Sequence, residues 1–207
     1  MTASGDIAGL RFGPIGGNAV HVAIDMQVVF ADHPDWGDAG TKAIAPRVAR
    51  IAAHAPERTV FTRFVPPHSL KDAKGQWQTF YKRWPQIVSE SGNAELFDLL
   101  PSLRSFVPPA QMVDKLVYSA FEVPAFGNAL RALAADTLVF TGVETDVCVL
   151  ATALGAIDRG LRTILISDAL ASAGPKGHGA ALGAIYPRFD QQVELTDTET
   201  LLREWKR

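Results

Sequence analysis

The sequence predicts an α/β fold: three layers, α/β/α and Rossmann-like, around a central, mostly parallel six-stranded sheet. Three observations carry the prediction. Short β-branched segments alternate along the chain with segments of helical period. Leu161 to Ser167 (LRTILIS) is a near-continuous apolar run, as in a strand covered on both faces of a parallel sheet. A loop rich in Asp, Gly and Pro follows the first β-branched segment, after Asp25.

Ala19 to Ile24 (AVHVAI) reads as the first strand, ending at Asp25. Ile44, Val48, Ile51 and Ala55 then recur at helical spacing, with Pro46 expected near the first turn, where its missing N–H costs little. Thr59 to Phe64 (TVFTRF) gives a second strand. A polar and aromatic insert, residues 65–91, interrupts the alternation and reads as a lid or pocket wall. A short helix over Ala94 to Leu100 precedes a third strand near Gln111 to Leu116, and a further helix covers Ala125 to Ala134. Thr137 to Thr141 is the fourth strand, and Asp146 to Arg159 is helical in period with Gly160 as its stop. After LRTILIS, Gln191 to Leu195 offers a last strand, and Thr196 with Glu199 has capping-box spacing for a terminal helix. With 207 residues, 47% hydrophobic content and neither repeat nor linker, the expectation is one domain, 1–207.

Charge and composition exclude several functions. The formal net charge is −2 with scattered Lys and Arg, so no phosphate-backbone footprint exists and nucleic acid is not an expected partner. No run of about 18 apolar residues offers a bilayer span, and the N-terminus lacks the basic and apolar regions of a leader; a cytoplasmic protein without a membrane partner is expected. The single Cys rules out an internal disulfide framework and leaves a thiol for chemistry in a reducing compartment.

In open parallel sheets the reactive groups gather at the carboxyl ends of strands. Asp25 closes the first strand, Lys115 ends the third and Cys148 follows the fourth in the turn that opens a helix. Singly, each has an ordinary explanation as a turn residue, a solvated cation or an inert thiol. Together they suit covalent catalysis. A thiol with pKa near about 8.5 needs positive potential to ionise, which Lys115 and a helix N-terminus would supply, while Asp25 would take the thiol proton and deliver it to a leaving amine.

These residues lie in segments that resemble a known family: IDMQVVF (24–30), the DK of VDKLVYSAF (113–121), TGVETDVCV (141–149) and LATALGAIDRGLRTILISDALAS (150–172). The chain resembles the isochorismatase-like cysteine hydrolases, the group of nicotinamidases, N-carbamoylsarcosine amidases, biuret hydrolases and ureidoacrylate amidohydrolases, over roughly residues 19 to 190. The resemblance implies that Asp25, Lys115 and Cys148 form a catalytic triad, that the Val143–Glu144 peptide is cis, and that the backbone N–H groups of Glu144 and Cys148 form an oxyanion hole. It also implies a homodimer or homotetramer. Nicotinamidases commonly carry a D-x-H metal motif after the second strand; here the chain reads Thr62-Arg63-Phe64-Val65-Pro66-Pro67-His68, so neither a metal nor another cofactor is expected. The Asp32, His33 and Asp35 loop cluster reads as solvated rather than metal-binding.

For the substrate, Arg63 is a candidate carboxylate clamp. Phe30, Trp77, Tyr81, Tyr118 and Phe121 are candidate apolar walls, and Gln27 a candidate orienting group. The expected activity is cysteine-dependent hydrolysis of an amide or ureido C–N bond in a small molecule, through a thioester. A ring-opening hydrolase of cyclic amides, and a catalytically silent binding or assembly protein, stay open as alternatives, and a thiol redox enzyme would need an external second cysteine.

Overall fold

A computed structural model describes residues 10–88 and 94–206. The ends of the chain and the last part of the 65–91 insert lie outside the described residues. Six strands, β1 (Ala19–Ile24), β2 (Thr59–Phe64), β3 (Gln111–Lys115), β4 (Thr137–Val143), β5 (Arg162–Ala171) and β6 (Val193–Thr196), form one sheet in the order β3-β2-β1-β4-β5-β6. Every pairing is parallel, so the expected mostly parallel sheet is wholly so.

Side-chain alternation sends the strands' residues into two cores. Ala19 and Ala23 of β1 join Phe61, Val139 and Ile164 on one face, beneath α2 (Ala39–His54) and α8 (Thr198–Glu204). Val20, Val22 and Ile24 join Val60, Leu138, Phe140 and Leu165 on the other, beneath α5 (Pro124–Ala132) and α6 (Cys148–Asp158). The period of two explains why β1 and β4 are buried throughout: both faces are covered there, whereas the edge strand β3 alternates between buried and exposed residues. In α2 the buried positions Thr41, Ile44, Ala45, Val48, Ile51 and Ala52 keep helical spacing.

Several boundaries differ from expectation. Helix α2 begins at Ala39, so Pro46 lies inside it and not in its first turn. The apolar period of 44–55 conceals the earlier polar turn, which follows Asp38. The terminal helix is capped by Asp197, whose side chain accepts the N–H of Thr200 at 2.7 Å, in place of a Thr196–Glu199 box. Residues 94–100 form only a 3-10 turn, Ala94–Phe97, followed by α4 (Pro101–Arg104). The stop at Gly160 adopts φ +70°, the left-handed conformation that glycine accepts without strain.

The described part of the insert contains α3 (Trp77–Arg83) and builds its own aromatic core. Phe64, Tyr81, Ile87 and Phe97 pack there with Trp36, Trp77, Phe80 and Trp84. No helix among the described residues is long and apolar enough to cross a membrane.

Candidate active site

The strand order reverses between β1 and β4, and a crevice opens beyond their carboxyl ends. Asp25 leaves β1 with φ +49°, a left-handed conformation that Asp tolerates better than most residues. Its Oδ2 accepts from Lys115 Nζ at 2.6 Å, and its Oδ1 accepts from the Thr62 hydroxyl at 2.6 Å. Lys115 Nζ also donates to the Val117 carbonyl at 3.2 Å. Both charged side chains are 0% exposed. The ion pair therefore bridges β3 to β1 across β2, with Thr62 of β2 held between.

Cys148 opens α6 close enough to the pair for both charges to act on its thiol. The structure thus brings together the three residues singled out in the sequence. Burial, seconded by the Asp25 charge, pushes the thiol pKa up, against the opposing pull of Lys115. Burial also works against the charge on Lys115, but the Asp25 carboxylate beside it opposes this and the pKa is raised.

The β4–α6 loop is pinned. The Val143–Glu144 peptide is cis. Thr145 gives both its N–H and its hydroxyl to the Ala171 carbonyl at 3.0 Å, its own carbonyl accepts from the Tyr186 hydroxyl at 2.8 Å, and its hydroxyl meets His178 Nδ1 at 2.8 Å. The N–H groups of Val147 and Val149 both go to the Glu144 carbonyl. Glu144 Oε1 accepts from Ala173 N–H at 3.0 Å, and burial holds the carboxyl pKa above its usual range, with Asp146 and Asp38 adding to the rise.

A cavity of about 270 Å³ stands over Cys148. Its lining comprises Phe30, Asp35, Trp36, Phe64, Phe80, Trp84, Tyr118, Glu144, Val147, Cys148 and Ala173. Phe30 and Tyr118 are the two wall candidates that reach it. Trp77 and Tyr81 form a second layer: the Trp77 ring lies 4.9 Å from Tyr118 and 6.1 Å from Tyr81. Tyr81 is buried, and its hydroxyl has no hydrogen-bond partner among the described residues.

Three other candidates are committed elsewhere. Gln27 is spent on backbone: its amide donates to the Phe64 and Phe97 carbonyls at 3.1 and 2.7 Å and accepts from Phe64 N–H at 2.7 Å, so it ties the end of β2 and the 94–97 turn to the segment after β1 instead of orienting a substrate. Arg63 grips Asp114 through two hydrogen bonds of 2.7 and 2.8 Å and reaches Asp98 at 3.4 Å, so its fork is filled. Phe121 packs on Phe126 at 5.0 Å and lines a separate surface groove with Arg131 and Arg159. In the loop cluster Asp32 pairs with Lys42, while His33 Nδ1 accepts from Asp35 N–H. Among the described residues no three His, Cys, Asp or Glu side chains gather as a metal would need.

Phe80 and Trp84 belong to the insert expected as a lid or pocket wall, and both line the cavity. Sequence reasoning missed Thr62 and Trp36. Thr62 was findable, because a hydroxyl on the neighbouring strand, level with the end of β1, is a ready partner for Asp25. Trp36 comes from the loop after β1 and meets the insert only in space.

Residues 19–200 match the family described as Isochorismatase domain. An isochorismatase family protein of Bacillus subtilis (strain 168), PncA, is 31% identical over 132 residues, covering 64% of each chain. The ureidoacrylate amidohydrolase RutB of Methylobacterium radiotolerans is 37% identical over 86 residues, covering 41% of this chain and 33% of that one. This chain therefore spans less than two thirds of the length of either relative. In fold it is similar to a cysteine hydrolase from Pseudomonas syringae pv. phaseolicola, with TM-score 0.74, 24% identity, and 94% and 95% of the two chains covered. With the match running from the first strand into the last helix, this chain belongs to the isochorismatase domain family.

Proposed function

We propose that this protein hydrolyses the C–N bond of a small amide or ureide, with Cys148 as nucleophile. The observation that carries the reading is the thiol at the floor of an aromatic cavity, within reach of the buried Asp25–Lys115 pair. Its similarity to a protein named ureidoacrylate amidohydrolase supports the same reaction class.

In this mechanism the resting site holds a thiol, a carboxylate and an ammonium. As Cys148 Sγ attacks the carbonyl carbon, its proton passes to Asp25. The charge thus moves from Asp25 to sulfur and on to the carbonyl oxygen, and Lys115 stays cationic beside the path. The N–H groups of Glu144 and Cys148 receive the oxyanion, a contribution worth on the order of 100-fold or more per donor. Collapse breaks the C–N bond, and Asp25 returns the proton to the leaving nitrogen. Water, losing its proton to Asp25, then attacks the thioester carbonyl. The carboxylic acid departs, and the sulfur regains its proton from Asp25.

A raised thiol pKa fits this scheme. With no charge on sulfur until a carbonyl is in place, the nucleophile is made in the step that uses it, and a buried anion need not be stabilised in the empty site. The test is a panel of primary amides, ureides and cyclic amides scored for release of ammonia, amine or ring-opened acid. Turnover should vanish in Cys148→Ala, and an acyl-enzyme with the added mass of the acid less one water should be trapped on Cys148 by acid quench. A cleaved amide whose turnover survives Cys148→Ala would overturn the mechanism.

A further inference from the structure

The cavity carries a charge pattern that amide cleavage by itself does not require. Trp36 is the hub of its wall, with ring centroids 6.0 Å from Phe30, 5.8 Å from Phe80 and 5.8 Å from Trp84. The charged side chains in the lining are both acidic, Asp35 at the exposed rim and half-buried Glu144. No Lys, Arg or His stands among the described lining residues.

Nearby cations are already engaged. Lys115 is sealed beneath the cavity on Asp25, with its ammonium 5.4 Å from the Phe64 ring centre. Arg63, the expected carboxylate clamp, is held by Asp114 and Asp98. Arg83 is exposed and outside the lining, its guanidinium 5.3 Å over Trp84, so that ring already accepts a cation.

A ligand carboxylate entering this space would lose water and face aromatic π-clouds and two carboxyl groups, with no accessible cation in the lining. An ammonium would meet the opposite balance: ring faces attract it and the carboxylates neutralise it. Indole faces are the strongest of the aromatic partners for a cation, and two indoles line this wall.

We propose that the pocket selects amides whose non-reacting end carries an ammonium group and rejects those that carry a carboxylate. This deepens the amidohydrolase reading and rests on it for the bond that is cleaved.

Two measurements on the intact protein test it. In the first, tryptophan fluorescence is titrated with choline, with its carbon isostere 3,3-dimethylbutan-1-ol, and with 3,3-dimethylbutanoate. Choline should bind at least about fivefold more tightly than the isostere, and the carboxylate more weakly than either. Equal binding of choline and its isostere, or binding of the carboxylate as tight as choline, overturns the proposal.

The second compares 2-(trimethylammonio)acetamide with 3,3-dimethylbutanamide, which differ by one N⁺ in place of carbon. The ratio of kcat/KM should favour the ammonium amide, and Asp35→Asn should lower that ratio about threefold through the loss of one carboxylate at the rim. Cys148-dependent cleavage that favours the neutral amide overturns the charge preference and leaves the hydrolase reading standing. Selective choline binding with no amide cleaved by the protein overturns the hydrolase reading and supports the charge preference.

Discussion

Lys115 Nζ and Asp25 Oδ2 lie 2.6 Å apart with both side chains wholly buried, although their strands are separated by a third. Removing one partner strands the other's charge without solvent. Lys115→Met should cost about 3–5 kcal/mol of unfolding free energy, and the double variant Asp25→Asn with Lys115→Met should recover a large part of it while remaining inactive. Urea unfolding of the set decides this. A double variant whose loss equals the sum of the two single losses would mean that the pair is not coupled.

The hydroxyl of Thr62 fixes the second carboxylate oxygen of Asp25 and also accepts the Asp25 N–H at 3.2 Å. Thr62→Val keeps the shape and removes the hydrogen bond. We expect kcat to fall about 10- to 100-fold, the range of a hydrogen bond to a charged group, with a smaller change in KM. Unaltered kcat would show that Asp25 is held well enough without it.

Alkylation of Cys148 by iodoacetamide, followed by mass spectrometry, reports the resting thiol. Because burial and Asp25 raise its pKa, the sulfur should react more slowly at pH 7 than an unhindered free cysteine and speed up only in alkaline solution. A rate at pH 7 above that of a free thiol would indicate a thiolate and contradict the proposed proton route. Slow alkylation therefore does not identify a silent protein, since both readings share it.

His21 lies within the sheet, with Nε2 2.8 Å from the Thr141 hydroxyl and Nδ1 3.4 Å from that of Thr59. Burial brings its pKa down to about 3. A depressed folded value means that the unfolded chain takes up the proton first. The stability associated with neutral His21 is thus complete above about pH 6.5 and is lost as the pH falls toward 3, at up to about 1.4 kcal/mol per pH unit. His21→Gln, which can retain the bond to Thr141, should flatten the slope between pH 6.5 and 5, where few carboxylates titrate. Parallel slopes for the two proteins would show that His21 is not the group responsible.

Much of this architecture was legible because the inner strands are short, largely apolar runs with a single favourable place, inside a sheet covered on both sides. The match of β1 and β2 to AVHVAI and TVFTRF, and the convergence of Asp25, Lys115 and Cys148 at one sheet end, follow from that. Side-chain direction was less legible. Arg63 occupies a position suited to a substrate anion, yet Asp114 stands beside it on β3 in the parallel register and captures it. Gln27 follows Asp25 closely, but the backbone at Phe64 and Phe97, on either side of the insert, claims its amide. The part Trp36 plays in the pocket wall was hidden for a related reason: it belongs to the loop after β1 and meets Phe80 and Trp84 only when the insert folds back over it. The environment of the thiol was only half legible, because neighbouring charge is visible in a sequence and depth of burial is not.

Strand β3 has a neighbour on one flank only, and it carries Lys115. Fraying of a border strand takes less free energy than dissolving the whole domain. Such an opening would withdraw the ammonium while the five remaining strands kept their pairing. Mild denaturant should accordingly silence the enzyme before spectroscopic melting begins, and amide protons along β3 should exchange earlier than those of β1 and β4.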